Sequence, residues 1–284
     1  MLIRMGQGRR GEPEKGWEKP PPKRTPRWVG WMVGGVVLVL GIGLAVMLWP
    51  RGEGEIHAAA APVAEVRNAL EEAEAVAQAF LAGSGMEERL RWVRNAEEVR
   101  NRVADYPSAA RSEVGEIEKM IGHGGGTTAF AVALPSGEVR LLEVVDTPEG
   151  PRVDWDAYAR HGTATWEDLW SGKAERAVVR VFCEPSTEYP EPFDDWERWT
   201  TFRLSSPDMG RVALGFAEIG TVREEMMKKV VLGSARYRQR FVLEVVRHEG
   251  AGEPLFEIVK CRAVGWIEGE RPVEEIWAER PEAD

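Results

Sequence analysis

The feature that most constrains this chain is an uninterrupted apolar segment near its N-terminus. Val29–Trp49 contains 21 residues and no charged side chain, and a helix needs about 20 residues to cross the hydrocarbon core of a bilayer. Trp28, Trp31 and Trp49 lie at its ends, where indole rings favour the membrane interface. The segment predicts a single transmembrane helix, so the rest of the chain has to fold beside a membrane.

The charges around this segment set its predicted orientation. Residues 1–28 hold eight basic and three acidic residues and a Pro-rich stretch, which indicates a solvated cytoplasmic tail. Everything after a linker at residues 50–62 is then expected outside the cytoplasm. A cleaved signal peptide is the alternative, because Ala58 and Ala60 form a small-residue cleavage pattern. The apolar run is longer than the roughly 7–15 residues of a signal sequence, which favours a retained single-pass anchor in the cell membrane.

Small residues recur within the predicted membrane helix. Gly30 and Gly34, and likewise Gly41 and Ala45, have the spacing that lets two helices approach closely. Glycine is also common in membrane helices that do not dimerise. A homodimer and a separate protein partner are therefore both open as partner hypotheses.

The chain beyond the linker is strongly acidic. The whole protein carries a net charge of −10 although its first 28 residues are basic. Nucleic-acid binding depends on Lys and Arg side chains that displace counterions from phosphates. No nucleic-acid partner is therefore expected for the main domain.

Residues 63–267 are expected to form one extracytoplasmic α+β domain, followed by an acidic tail at residues 268–284. Helical periodicity comes first and alternating runs come later, an order typical of α+β folds. The predicted helices cover Val63–Gly83, Met86–Arg94, Ala96–Tyr106, Ser112–Ile121, a short turn after Thr165, and Thr221–Leu232. A hairpin around Pro135–Gly137 precedes predicted strands at about Ala177–Glu184, Trp199–Leu204, Arg211–Glu218, Tyr237–Arg247 and Leu255–Trp266.

His123 begins an HGGG run, which in lipases and esterases supplies oxyanion-hole amides. In those enzymes the run follows a strand, and a G-x-S-x-G turn elsewhere carries the nucleophilic serine. Here it follows the predicted helix Ser112–Ile121, and the sequence has no G-x-S-x-G. The glycines are therefore expected to end that helix and lead into a strand, with His123 solvated at the helix end.

One group of residues could carry acid–base chemistry. Asp154, Asp156 and His161 lie close in sequence to Trp155 and Tyr158, and a carboxylate can orient an imidazole so that the pair moves a proton. The alternative is that Trp155 is buried while both aspartates face outwards and cap a short helix. The three titratable residues are therefore weak catalytic candidates until their geometry is known.

A second candidate site interleaves acidic and aromatic residues between two predicted strands. Its binding candidates are Asp194, Asp195, Trp196 and Trp199. The carboxylates could hold Ca²⁺ or meet a cationic ligand, and the indoles could make stacking or cation–π contacts. The alternative is a solvated loop whose aromatic side chains seal the edge of the core. No HExxH, CxxC or calcium-loop motif is present, so neither a metal nor a cofactor is expected.

Cys183 and Cys261 fall in strands whose alternation places both on an apolar face. An oxidising compartment would permit a disulfide between them. Cysteine also packs as a small hydrophobe, and two buried free thiols are the expectation.

Two short motifs carry a resemblance to known proteins. The stretch GPRVDWDAY, at Gly150–Tyr158, after helices and a hairpin, resembles a strand of the nuclear-transport-factor-2-like superfamily. The stretch EERLRWVRNAEEVR, at Glu87–Arg100, is similar to a recurring piece of uncharacterised membrane-anchored bacterial proteins with such a domain. The resemblance implies a curved antiparallel sheet wrapped by helices into a cone around a cavity. In enzymes of that superfamily, such as ketosteroid isomerase, acid and base groups line the cavity. This sequence departs from the pattern by a helix at Thr221–Leu232.

The expected function is a membrane-anchored extracytoplasmic binding or scaffold domain without catalytic activity, because no catalytic motif is complete. The alternative is a cone-fold lyase, isomerase or hydrolase that uses an Asp–His pair in a central cavity.

Overall fold

The computed structural model describes residues 63–105, 115–207, 210–234, 238–250 and 252–280. The predicted cytoplasmic tail, membrane helix and linker (residues 1–28, 29–49 and 50–62) lie outside these ranges. Within them, no helix is both long and apolar enough to span a bilayer. The described chain combines helices with antiparallel sheets, which confirms the predicted α+β class.

Helices and strands follow one another in an order close to the predicted one. The elements are α1 (Val63–Ala82), α2 (Met86–Leu90), α3 (Ala96–Asp105), β1 (Glu116–Gly124), β2 (Thr127–Ala133), β3 (Val139–Thr147), β4 (Gly150–Val153), α4 (Trp155–Ala159), α5 (Trp166–Ser171), β5 (Arg176–Pro185), β6 (Trp199–Ser205), β7 (Val212–Glu218), α6 (Val222–Gly233), β8 (Gln239–His248), β9 (Leu255–Val264) and α7 (Val273–Ala278). Threonine side chains cap α5 and α6, since Thr165 accepts a hydrogen bond from the Asp168 amide and Thr221 from the Glu224 amide.

The first sheet has the order β1-β2-β3-β4 and packs one face against the N-terminal helices. Phe80 of α1 meets the ring of Tyr158 edge-on at 5.3 Å between ring centroids. Phe130 and Leu142 of the sheet and Trp155 of α4 belong to the same buried cluster. The apolar face of α1 is therefore buried against the sheet, as its helical periodicity requires.

The predicted helix Ser112–Ile121 is wrong, because its second half belongs to strand β1, which continues to Gly124. The apolar residues in this stretch have helical spacing, but Gly122 and Gly124 are poor helix formers, and β1 pairs with β2 along its length. The HGGG run closes this hairpin, since Gly125 and Gly126 have φ of 59° and 71°, the left-handed values that a two-residue hairpin turn needs. His123 lies on the strand rather than at a helix end.

The second half of the chain forms a closed barrel with the strand order β5-β6-β7-β9-β8. All neighbours are antiparallel except β7 and β9, which pair in parallel from Leu214 opposite Leu255 to Phe216 opposite Glu257. Helix α6 lies between β7 and β8 in the chain and buries Met226, Met227 and Val231 in the barrel core. We expected one curved sheet, and the described strands instead divide into a four-stranded sheet and this barrel.

The barrel interior is filled by side chains. Strand β5 contributes Val181 and Cys183, and the facing strands contribute Phe202, Phe241 and Phe256, all at most 1 % exposed. Small barrels leave an interior just wide enough for side chains to fill. The barrel is a packed core, so any binding site lies on its outside or at its ends.

Candidate functional site

The acidic-aromatic loop, residues 186–198 between β5 and β6, is fastened to one end of the barrel. Phe193 is 3 % exposed and stacks on Phe216 with ring centroids 4.1 Å apart. The Phe193 ring also makes edge-on contacts with the rings of Trp199 and His248, with centroids 4.9 and 5.1 Å apart. Trp199 is 7 % exposed, so the structure places this binding candidate in the core, as the alternative interpretation had it.

Trp196 has the opposite environment within the same loop. Its side chain is 66 % exposed, more than any other large hydrophobic residue of the described chain. A turn holds it there, because the Asp195 carbonyl accepts hydrogen bonds from the amides of Arg198 and Trp199 at 3.1 and 3.0 Å. The Asp195 carboxylate also accepts from the Glu197 amide at 3.0 Å.

Acidic residues flank Trp196 in the sequence of the loop. Glu191, Asp194, Asp195 and Glu197 are all exposed. The one cation of the loop, Arg198, pairs with Glu218 at 3.2 Å and lies over the ring of Trp199. The exposed part of the loop is therefore rich in negative charge and carries one large exposed aromatic side chain.

An open cavity of about 460 Å³ lies where this loop begins. It is bounded on one side by Glu188, Tyr189 and Pro190, and on the other by β7 and the β8–β9 loop through Leu214 and Glu253. Its lining mixes an aromatic ring and aliphatic groups with carboxylates. The loop surface therefore includes a concave part as well as the protruding Trp196.

The second candidate group lies at α4, and Asp154 has a structural role in it. Its carboxylate caps the helix by accepting from the Ala157 amide at 2.7 Å, and it forms an ion pair with Arg94. Asp154 is only 1 % exposed, and this burial raises the pKa of its carboxyl group. The predicted cap is present, but the predicted outward-facing position of this aspartate is wrong.

Asp156 and His161 are brought together, as the catalytic interpretation requires. The His161 Nδ1 lies 3.4 Å from the carboxylate of Asp156, and the ring packs against Trp155 at 5.7 Å. The other carboxylate oxygen of Asp156 accepts from Arg102 at 2.9 Å. Both side chains are largely enclosed, with 18 % and 13 % exposed.

The electrostatic environment makes His161 a poor proton carrier near neutral pH. Burial, followed by the positive charges of Arg102 and Arg180, lowers the pKa of His161 to about 4. General acid–base catalysts work best when their pKa is near the working pH. Neither His161 nor Asp156 lines any of the four cavities described for the chain.

Arg180, which no sequence pattern singled out, ties this group to the barrel. It lies on β5 and its side chain is 3 % exposed, although alternation along the strand predicts an outward position. It donates to the carbonyls of His161 and Trp266, and pairs with Glu268 at 3.3 Å. Its place between inward-facing Val179 and Val181 is no local sign of burial, because its partners lie 19 to 88 positions away.

Cys183 and Cys261 are both free thiols in the barrel core, as expected. Burial raises the pKa of each thiol above its ordinary value. Buried, protonated thiols are unreactive, so neither cysteine offers a nucleophile. Within the described ranges, no three His, Cys, Asp or Glu side chains are grouped as metal ligands.

Comparison of the chain with protein-family models, curated proteins and solved structures finds no match. The nuclear-transport-factor-2-like resemblance therefore stays a prediction.

Proposed function

We propose that this protein is a single-pass membrane-anchored domain that binds a protein partner outside the cytoplasm and has no catalytic activity. The binding surface is the acidic-aromatic loop, with Trp196 at its centre. The anchor is the apolar segment Val29–Trp49, whose length and flanking charges favour a transmembrane helix with a cytoplasmic N-terminus.

The observation that carries this proposal is the contrast between Trp196 and the two aromatic residues on either side of it, Phe193 of the loop and Trp199 at the start of β6. Phe193 and Trp199 are buried and hold the loop on the barrel, whereas Trp196 is two-thirds exposed on a hydrogen-bonded turn. Tryptophan is among the residues that most often dominate the energy of protein interfaces. Tryptophan has only two side-chain torsion angles, so it supplies a large contact area at a low cost in conformational entropy.

The charge around Trp196 indicates the chemistry of the partner. Four exposed carboxylates lie in the same loop as the indole, so a partner surface with Lys or Arg side chains complements the loop. Such charges speed association and reject acidic competitors more than they add affinity. A cation over the indole face adds a cation–π contact of about 0.5–1 kcal/mol at an exposed site.

Two features argue against the alternative of an Asp–His enzyme. The described side chains fill the barrel interior as a hydrophobic core, which argues against a central substrate cavity there. Arg102 and Arg180 place positive charge beside Asp156 and His161, and a pKa of about 4 leaves His161 neutral and only weakly basic near pH 7. These residues instead join α4 to the barrel, a role that needs no substrate.

Photocrosslinking from position 196 tests the proposal. A photoreactive phenylalanine derivative replaces Trp196 in the full chain. The variant is expressed in the cells that normally make the protein, and the intact cells are irradiated. In the matched control, the same photoreactive derivative replaces Leu232, which lies on α6 and is 59 % exposed. We expect a discrete protein adduct from position 196 and none from position 232. Equal adducts from both positions, or none from position 196, would overturn the proposal.

A further inference from the structure

The cavity where the acidic-aromatic loop begins lies beside a stretch of β7 that has only one neighbouring strand. Strand β7 begins at Val212, but its parallel pairing with β9 begins at Leu214 opposite Leu255. Val212 and Ala213 pair with β6, and among the described strands they have no second partner. Both line this cavity of about 460 Å³, which we call the loop cavity. A free strand edge offers N–H and C=O groups to another chain.

Part of the loop cavity is apolar. Tyr189 and Leu214 line it, and both pack in part against the buried cluster around Phe193. This packing holds the tyrosine ring in place at the cavity wall. Val212, which is 40 % exposed, lines the same cavity. An aromatic ring beside aliphatic groups suits the alkyl stem of a long side chain whose polar end stays near water.

Three charged residues line the loop cavity, namely Glu188, Arg203 and Glu253. Arg203 lies 4.0 Å from the Glu188 carboxylate, so the positive charge is already opposed inside the cavity. Within the described part of the chain, the Glu253 carboxylate has neither an ion-pair nor a hydrogen-bond partner. The lining therefore carries one negative charge in excess, and further exposed carboxylates follow in the same loop. The loop cavity complements a cation.

We propose that the loop cavity binds a lysine or arginine side chain carried by an extended segment of the partner protein. The alkyl stem of this side chain packs along Tyr189 and Leu214, and its cationic group reaches the Glu253 carboxylate. A cation close to the tyrosine ring also gains a cation–π contact. The apolar wall and the unpaired carboxylate thus recognise the two parts of one basic side chain.

The main chain of the bound segment lies beside the start of β7. There it pairs with the free edge at Val212 and Ala213, in the mode where main-chain hydrogen bonds supply affinity and side-chain pockets supply specificity. The inference rests on the proposed function, because it states how the same partner is recognised. It does not involve Trp196, which is absent from the lining of the loop cavity.

Three defined peptides test the charge preference. Thr-Val-Lys-Val-Thr amide with fluorescein on its N-terminus carries one cation in a sequence that favours an extended strand. In the second peptide acetyl-lysine replaces Lys, which keeps the stem and removes the charge, and in the third Glu replaces Lys. Fluorescence anisotropy with the full chain in nanodiscs of uncharged lipid measures binding. We expect the Lys peptide to bind about tenfold more tightly than the acetyl-lysine peptide, and the Glu peptide to bind most weakly. The difference should shrink at high salt.

Two pairs of variants locate the binding. Val212 and Val264 lie at strand ends and are 40 % and 42 % exposed, but only Val212 lines the loop cavity. Val212→Lys should weaken binding of the Lys peptide about tenfold, because it places a like charge in the cavity, whereas Val264→Lys should change it less than about twofold. Glu253→Gln should weaken binding about fivefold. Its control, Glu225→Gln, removes the same charge from an exposed position on α6 and should change binding less than about twofold. Circular dichroism checks that each variant remains folded.

Several results would overturn this inference. One is equal or tighter binding of the acetyl-lysine or Glu peptide, and another is no binding of any peptide by the folded chain. Equal effects within either pair of variants would place the binding elsewhere on the acidic surface. Failure here is distinguishable from failure of the proposed function, because the peptide assay does not use Trp196. A protein adduct from position 196 without a preference for the Lys peptide would overturn the loop cavity alone.

Discussion

Replacing Trp196 of the acidic-aromatic loop and Trp199 at the start of β6 by alanine, one at a time, separates the residue that holds the loop from the residue that is free to bind. Trp199 is 7 % exposed and meets Phe193 edge-on, whereas Trp196 is 66 % exposed. If the loop is fastened as described, Trp199→Ala must destabilise the fold, and Trp196→Ala must leave it almost unchanged.

The magnitudes follow from burial. Truncating a buried tryptophan to alanine costs about 3–5 kcal/mol in lost burial and cavity formation. The edge-on contact with Phe193 accounts for about 0.5–1.5 kcal/mol beyond the area it buries. A change at an exposed site such as Trp196 stays within about 0.5 kcal/mol. Trp199→Ala therefore removes a large part of a typical folding free energy of about 5–15 kcal/mol.

Urea denaturation followed by far-ultraviolet circular dichroism measures both variants. We expect the Trp199→Ala midpoint to fall well below the wild-type value and the Trp196→Ala midpoint to coincide with it, with the same dependence on urea concentration. Trp199→Phe should recover part of the loss because it keeps an aromatic ring against Phe193. Equal shifts for the two alanine variants would refute the separation of roles and weaken Trp196 as a binding residue.

Two further predictions concern His161 and the apolar segment. The pKa of His161 is about 4 in the folded chain, below its ordinary value of about 6.5. Between pH 4 and pH 6.5 the unfolded chain therefore binds one more proton than the folded chain. The free energy of unfolding should therefore fall as pH drops through 6.5, by up to about 3 kcal/mol near pH 4. Urea titrations at pH 7 and 4.5 should find this loss in the wild type but not in His161→Gln, and equal losses would contradict the assignment. The full chain should stay in the membrane pellet after alkaline carbonate extraction, and deletion of Val29–Trp49 should release it. Release of the intact chain by carbonate would contradict the predicted membrane anchor.

The barrel strands could be predicted because their pattern is local. In β5, Ala177, Val179, Val181 and Cys183 alternate, and all four are buried in the barrel. Alternation identifies a strand and its apolar face, but it does not say which strands become neighbours. The parallel pairing of β7 with β9 and the closure of the barrel depend on contacts between distant parts of the chain, which no local pattern contains.

The error at β1 has a different cause. Ile117 and Ile121 have the spacing of a helical face, but a short isolated helix is marginal without tertiary support, and pairing with β2 supplies that support to a strand instead. The signal that favours the strand is the glycine pair Gly125 and Gly126, which suits a hairpin turn. Interpreting those glycines as a helix end also misplaced His123.

The candidate site was predictable only as a set of residues. The sequence singled out Trp196 and Trp199 together, because both occur in one acidic, aromatic stretch, and only packing against Phe193 and Phe216 separates the buried indole from the exposed one. Arg180 was missed for a related reason. Its burial depends on the chain near Trp266 packing over the outer face of β5, a long-range contact without a local signal.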